Sequence, residues 1–198
     1  MILYLHGFRS SPKSFKARVV QKALEDAGRA HELICPQLPA SPKQAMALAL
    51  LLAERHAPDN LAIIGSSLGG FYATWLAERM GVRAVLLNPS VDPLVNLEQH
   101  VGVTTAWHSN EPFEFRREYI DELAELRVGQ ITTPGRYFLV AATGDEVLDY
   151  RDMVTHYAGA RQLVIKGSDH AISEFPHYVD EVLAFCSQTD TASMGLGQ

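Results

Sequence analysis

Leu61-Ala62-Ile63-Ile64-Gly65-Ser66-Ser67-Leu68-Gly69-Gly70-Phe71 decides the reading of this chain. An apolar run of strand length passes through a G-x-S-x-G turn into a helical pattern running from Phe71 to Met80. A serine in such a turn stands clear of the backbone, within reach of a base and of N–H groups that can receive an oxyanion. The residues two before and two after it must be small, so that strand and helix can approach each other. Gly65 and Gly69 fill those places if the serine is Ser67; centring on Ser66 would put Ile64 and Leu68 there. The stretch therefore reads as a candidate nucleophile elbow on Ser67. A flexible glycine-serine turn or a phosphate loop at a helix start is the alternative. A Walker-type loop, however, calls for Lys and then Ser or Thr after the last glycine, where this chain has Phe71-Tyr72.

Around the elbow, short apolar runs alternate with helical patterns. Expected strands are Ile2 to Leu5, His31 to Cys35, Leu61 to Gly65, Ala84 to Asn88, Tyr137 to Thr143 and Arg161 to Lys166. Helices are expected from about Pro12 to Ala27, from the Ser41-Pro42-Lys43-Gln44 capping box to about Arg55, through Phe71 to Met80, near Glu114 to Leu126, near Tyr150 to Tyr157, and from Pro176 to about Cys186. The first helix would place Phe15, Val19, Val20, Ala23 and Leu24 on its inner face. Six strands alternating with helices imply a three-layer α/β fold, a mostly parallel sheet with helices on both faces. One domain over residues 1–186 is expected. Residues from about 90 to 126 form an insertion or cap-like segment without clean periodicity in its first half. The polar, small-residue tail 187–198 is expected to be disordered.

Functional groups of such sheets gather at the carboxyl ends of the strands. His6, Ser67, Asp145 and His170 all fall just past one. Ser, then an acid, then His is the chain order of the α/β-hydrolase arrangement, in which the acid holds the base in the right tautomer and the base takes the serine proton. Rivals exist for each partner: Glu146 and Asp149 for the acid, and His6, His156 and His177 for the base. Asp145 sits directly at a strand end. His170 sits in the loop after the last strand, whereas His156 and His177 fall in helices. Asp169 is a neighbour that could support His170. An oxyanion hole would use the backbone N–H of Leu68 and, from the His6-Gly7-Phe8 turn, that of Phe8, with His6 orienting the turn.

The net charge of −6 disfavours nucleic acid or an anionic membrane surface as partner. No run approaches the length of a membrane span. Despite eight histidines, no ligand spacing suggests a metal. Cys35 and Cys186 read as isolated thiols, and no charged leader pattern precedes the first strand, so a cytoplasmic protein is expected. Trp107, Phe113 and Phe115 suit either an apolar pocket or local core.

The opening Tyr4-Leu5-His6-Gly7-Phe8-Arg9-Ser10-Ser11-Pro12, the elbow Gly65 to Ala73, Asn88-Pro89, Thr143-Gly144-Asp145-Glu146-Val147-Leu148-Asp149-Tyr150 and Gly167-Ser168-Asp169-His170 together resemble the small bacterial YqiA-like esterases of the α/β-hydrolase superfamily. The resemblance runs from residue 1 to about 186. It implies hydrolysis of carboxylic esters, with acyl-CoA thioesters among the substrate classes, by a serine mechanism that needs no metal or other cofactor. It maps nucleophile, acid and base onto Ser67, Asp145 and His170. The stretch Gly102 to Pro112 matches no motif of that family, which leaves substrate preference open. Two alternatives stand beside this reading: a ligand- or partner-binding protein that keeps the fold without catalysis, and an acyltransferase or perhydrolase using the same three residues. The sequence leaves the oligomeric state unread.

Overall fold

Every residue of the strand Ile2–Leu5 (β1) is buried, as an apolar run flanked by parallel neighbours requires. The computed structural model describes residues 1–105 and 112–188. Around β1 a six-stranded parallel sheet is assembled from Leu33–Ile34 (β2), Ala62–Ser66 (β3), Arg83–Leu87 (β4), Tyr137–Ala142 (β7) and Arg161–Ile165 (β8), in the order β2-β1-β3-β4-β7-β8. Two further strands, Gly102–Thr105 (β5) and Pro112–Phe115 (β6), pair antiparallel as a separate hairpin.

From β1 the chain moves outward to β2, then returns past β1 to β3 and continues in the opposite direction. That reversal lies between β1 and β3, whose register aligns Leu5 with Gly65. The turn after β1 and the turn after β3 therefore open onto one crevice at the carboxyl edge, the place where doubly wound sheets bind ligands.

The core has two layers. On one face Phe15–Asp26 (α1) and Val179–Cys186 (α7) cover Ile2, Tyr4, Ile64, Val85 and Phe138. On the other, Pro42–Ala53 (α2), Leu68–Met80 (α3), Glu118–Glu125 (α5) and Tyr150–His156 (α6) cover Leu3, Leu5, Ile63, Leu86 and Leu139. Each fully buried Leu, Ile or Phe contributes about 1.5–3 kcal/mol, so these two layers carry the fold. Helix α2 starts as its sequence indicates: Ser41 Oγ accepts from the Gln44 N–H at 3.2 Å, and Pro42 takes the first helical position. Glu122 of α5 closes the same end, accepting from Ser41 Oγ at 2.7 Å and from the Lys43 N–H at 2.9 Å.

Three expectations shift. The helix expected from Glu114 begins at Glu118, because Pro112–Phe115 pair with Gly102–Thr105 instead. The short helix Pro93–Leu97 (α4) precedes that hairpin. And in α1 Phe15 is 38% exposed while Lys16 is buried at 7%, so the inner face runs Lys16, Ala17, Val20, Leu24. Trp107 and residues 189–198 lie outside the described residues.

Candidate active site

Ser67 holds φ 55° and ψ −122°, a conformation few L-residues adopt. The surrounding chain fixes it there. Its N–H donates to the Leu87 carbonyl at 3.1 Å, and its carbonyl accepts from Gly70 at 2.8 Å and Ser90 at 3.0 Å. The small neighbours are obligatory. A Cβ on Gly65 would lie 2.3 Å from the Gly69 carbonyl oxygen, and one on Gly69 would lie 2.0 Å from the Leu5 carbonyl oxygen. Strand β3, helix α3 and strand β1 thus meet in backbone contact, and the strain falls on Ser67.

The structure brings Ser67, Asp145 and His170 together from three loops. His170 Nε2 lies 3.1 Å from Ser67 Oγ, and His170 Nδ1 lies 2.8 Å from Asp145 Oδ2. The Asp145 carboxylate has no exposed surface, and its other oxygen accepts from the N–H groups of Val147 and Leu148 at 2.8 and 2.9 Å. With Asp145 acting as acceptor, Nδ1 carries the ring proton and Nε2 is left facing the serine hydroxyl. A hydroxyl, an imidazole and a buried carboxylate in this series can move a proton from Oγ to Nε2 and stabilise the imidazolium that results.

The other carboxylates make different contacts. Glu146 Oε2 accepts from the backbone N–H of His170 at 2.9 Å, and Asp149 caps α6 through the Arg151 N–H at 2.9 Å. Asp169 accepts from the N–H and hydroxyl of Ser173, which hold its carboxyl below the usual carboxylate range. Of the other histidines, His156 lies in α6 and His177 in a 3₁₀ turn.

His6 shapes the turn opposite Ser67. Its Nε2 accepts from the Leu38 N–H at 3.0 Å, so the proton sits on Nδ1 and is donated to the Gly7 carbonyl at 3.0 Å. Burial holds this ring below the ordinary histidine pKa. Gly7 rests against the elbow, where a Cβ would come within 3.1 Å of Ser67 Cβ. Phe8 and Leu68 both line the cavity that holds Ser67 and His170, a space of about 620 Å³. Phe15, Pro93, Leu97, Val147 and Leu148 supply apolar walls. Phe113 and Phe115 instead pack edge-on against the Phe8 ring, with centroids at 5.2 and 5.1 Å, which makes them local core behind the His6-Gly7-Phe8 turn.

Two residues around the site were not legible as functional in the sequence. Asn88, fully buried with φ 44°, donates through Nδ2 to the carbonyls of Asp169 at 3.0 Å and His170 at 3.2 Å, while its Oδ1 accepts from the Ala142 N–H at 2.8 Å. Lys16 Nζ donates to the His170 carbonyl at 2.7 Å. The available signals were a polar residue closing an apolar strand just before Pro89, and a lysine one turn before Val20 on the apolar face of α1. Among the described residues, no group of three or more His, Cys, Asp or Glu is arranged to hold a metal ion. Nor is any helix there long and apolar enough to cross a membrane.

A model of the uncharacterised protein family UPF0227, the YqiA-like family, matches residues 1–187. The chain belongs to this family. Solved structures share its α/β-hydrolase fold at low identity. A candidate hydrolase from Agrobacterium vitis S4 aligns with a TM-score of 0.71 at 18% identity, covering 93% of this chain and 87% of that one. Est1E from Butyrivibrio proteoclasticus, with ferulic acid bound, aligns at 0.68 and 15% identity over 93% of this chain and 88% of its own. Alpha/beta hydrolase domain-containing protein 10 from mouse aligns at 0.65 and 16% identity over 92% and 89%. For this member of the family the likeness establishes the fold; chemistry has to be argued from the site.

Proposed function

We propose that this protein is a serine esterase that hydrolyses carboxylic esters, acyl-CoA thioesters included, through an acyl-enzyme intermediate. The observation that carries the reading is the unbroken series Ser67 Oγ, His170 Nε2, His170 Nδ1, Asp145 Oδ2 at 3.1 and 2.8 Å, built on a strained elbow that opens onto an apolar cavity. A binding module has no use for that strain.

In the proposed reaction Ser67 Oγ attacks the carbonyl carbon as His170 Nε2 takes its proton. The backbone N–H groups of Phe8 and Leu68 receive the oxyanion. His170 returns the proton to the departing alcohol or thiol as the carbon–oxygen or carbon–sulfur bond breaks. Water then attacks the acyl-Ser67 carbonyl and gives a proton to His170, which passes it to Ser67 Oγ as the acyl carbon–Oγ bond breaks, releasing the acid and the free serine. The residues named need no cofactor for these steps. Within this reading residues 1–186 act as one domain, and the segment from about 90 to 126 caps the cavity, to which α4 contributes Pro93, Asn96 and Leu97. Est1E, which shares the fold, binds ferulic acid, and an apolar cavity of this kind suits the acyl part of such an ester. The two free thiols accord with a cytoplasmic site of action.

Stopped-flow hydrolysis of a short p-nitrophenyl ester by the wild type and by Ser67→Ala tests this. Turnover that falls by several powers of ten in a variant with an unchanged thermal unfolding curve is the expected result. Equal turnover in both proteins, or none in either, would sink it.

A further inference from the structure

Among the described residues, Lys16 is the one lysine or arginine that is buried. Its place in the first turn of α1 asks for packing, which an apolar side chain would supply without the cost of burying a charge. Lys16 instead lines the same cavity as Ser67 and His170, and its ammonium donates to the His170 carbonyl at 2.7 Å. Asn88 reaches the same carbonyl at 3.2 Å from the end of β4, and Glu146 takes the His170 N–H at 2.9 Å. The backbone of His170 is therefore gripped by three side chains from three elements. The charged groups facing Lys16 are Asp145 and Glu146 from the loop after β7 and Asp169 from the loop after β8, all acidic.

We propose that Lys16 is a positioning residue for His170: its ammonium ties down the His170 carbonyl and offsets the carboxylates of Asp145, Glu146 and Asp169, holding the imidazole in line between Asp145 and Ser67. As a claim about catalysis this rests on the esterase reading; as a claim about ring position it does not. A bond from a charged donor is about twice as strong as one from a neutral donor. Burial pushes Lys16 down to about 8, so the grip weakens as the pH rises through that value.

The test uses Lys16→Met, which keeps the length of the side chain and removes the charge, and Lys16→Arg, which keeps the charge at all accessible pH. Nuclear magnetic resonance of histidine-labelled protein follows solvent exchange of the His170 Nδ1 proton, and steady-state kinetics on a short p-nitrophenyl ester follow turnover. In Lys16→Met the Nδ1 proton exchanges at least about tenfold faster, and kcat falls about tenfold to a hundredfold with KM within about twofold of wild type, as a misplaced base predicts. Lys16→Arg restores most of kcat at pH 7 and holds it above pH 8, where the wild type declines. A Lys16→Met protein with wild-type exchange and kcat, altered only in thermal stability, overturns the proposal. So does a Lys16→Arg protein that loses activity with the same alkaline midpoint as wild type, and this second arm decides the matter if Lys16→Met does not fold. A wild type with no ester turnover defeats the esterase reading, while the exchange measurement still decides the role of Lys16.

Discussion

Asp145 Oδ2 stands 2.8 Å from His170 Nδ1 on a carboxylate with no exposed surface, and its second oxygen is already engaged by the Val147 and Leu148 N–H groups. That double engagement makes Asp145→Asn a sharp test. The Asn oxygen is needed by the two backbone donors, so its NH₂ faces Nδ1. The ring must then carry its proton on Nε2, pointing at Ser67, where it cannot accept the serine proton. The variant is expected to fold normally and to lose about 10³- to 10⁴-fold in kcat, read by ester hydrolysis alongside circular dichroism. Activity within tenfold of wild type would remove Asp145 from the mechanism.

Asn88 is expected to matter through its hydrogen bonds and not its volume. Asn88→Ala takes from the buried Ala142 N–H its side-chain acceptor and from the Asp169 and His170 carbonyls one of their donors each, which costs about 1–3 kcal/mol. Asn88→Asp preserves the shape but turns a carboxylate oxygen toward two carbonyl oxygens, so it should be at least as damaging at neutral pH. Urea unfolding of both variants checks this. An Asp variant as stable as wild type would mean that the contacts to Asp169 and His170 carry little energy.

Acid should weaken the fold through His6. Burial lowers its folded-state pKa beneath the ordinary 6.5, so the unfolded chain takes up a proton that the folded chain refuses. The contribution of this group is complete above about pH 6.5 and is lost as the pH falls from there toward the folded value, with a slope of at most about 1.4 kcal/mol per pH unit for one proton. His156, held down by burial as well, adds to the same trend. Urea midpoints at pH 7.5 and 5.5 should therefore separate less in His6→Gln than in wild type. An identical separation would show that His6 is protonated as readily in the folded as in the unfolded protein.

The parts of the molecule that the sequence made legible are those with local causes. The apolar strands, the Ser41 cap and the small residues flanking Ser67 each follow from a neighbour's need, and the sheet follows from their alternation. Ser67, Asp145 and His170 could be picked out because each ends a strand, and the structure brings the three into hydrogen-bond contact. The hairpin was not legible. Each of its strands is four residues long, and the alternation that buries Phe115 is too brief to stand out beside Pro112. Lys16 and Asn88 were not legible for another reason: their partners lie 154 residues away in one case and 81 and 82 in the other, and only the closed sheet makes them neighbours.

The hairpin provides the last test, because it touches the Gly7-Phe8-Arg9 turn through the Phe8 ring and the Arg9 side chain. Phe8 packs at 5.1 Å on Phe115 and at 5.2 Å on Phe113, and the Arg9 Nε donates to the Thr105 carbonyl at 2.7 Å. Phe115 is itself buried at 1% and stacks edge-on with Tyr119 of α5. Phe115→Ala opens a cavity beneath Phe8 and is expected to cost about 3–5 kcal/mol. Leu183→Ala, on the inner face of α7 in the opposite core layer, is expected to cost about 2–5 kcal/mol without touching the turn. If the position of the Phe8 N–H matters to the reaction, Phe115→Ala lowers kcat about tenfold or more at a temperature where both variants remain folded, and Leu183→Ala does not. Equal kcat in the two variants would mean that the hairpin supports the fold but has no hold on the turn that carries the Phe8 N–H.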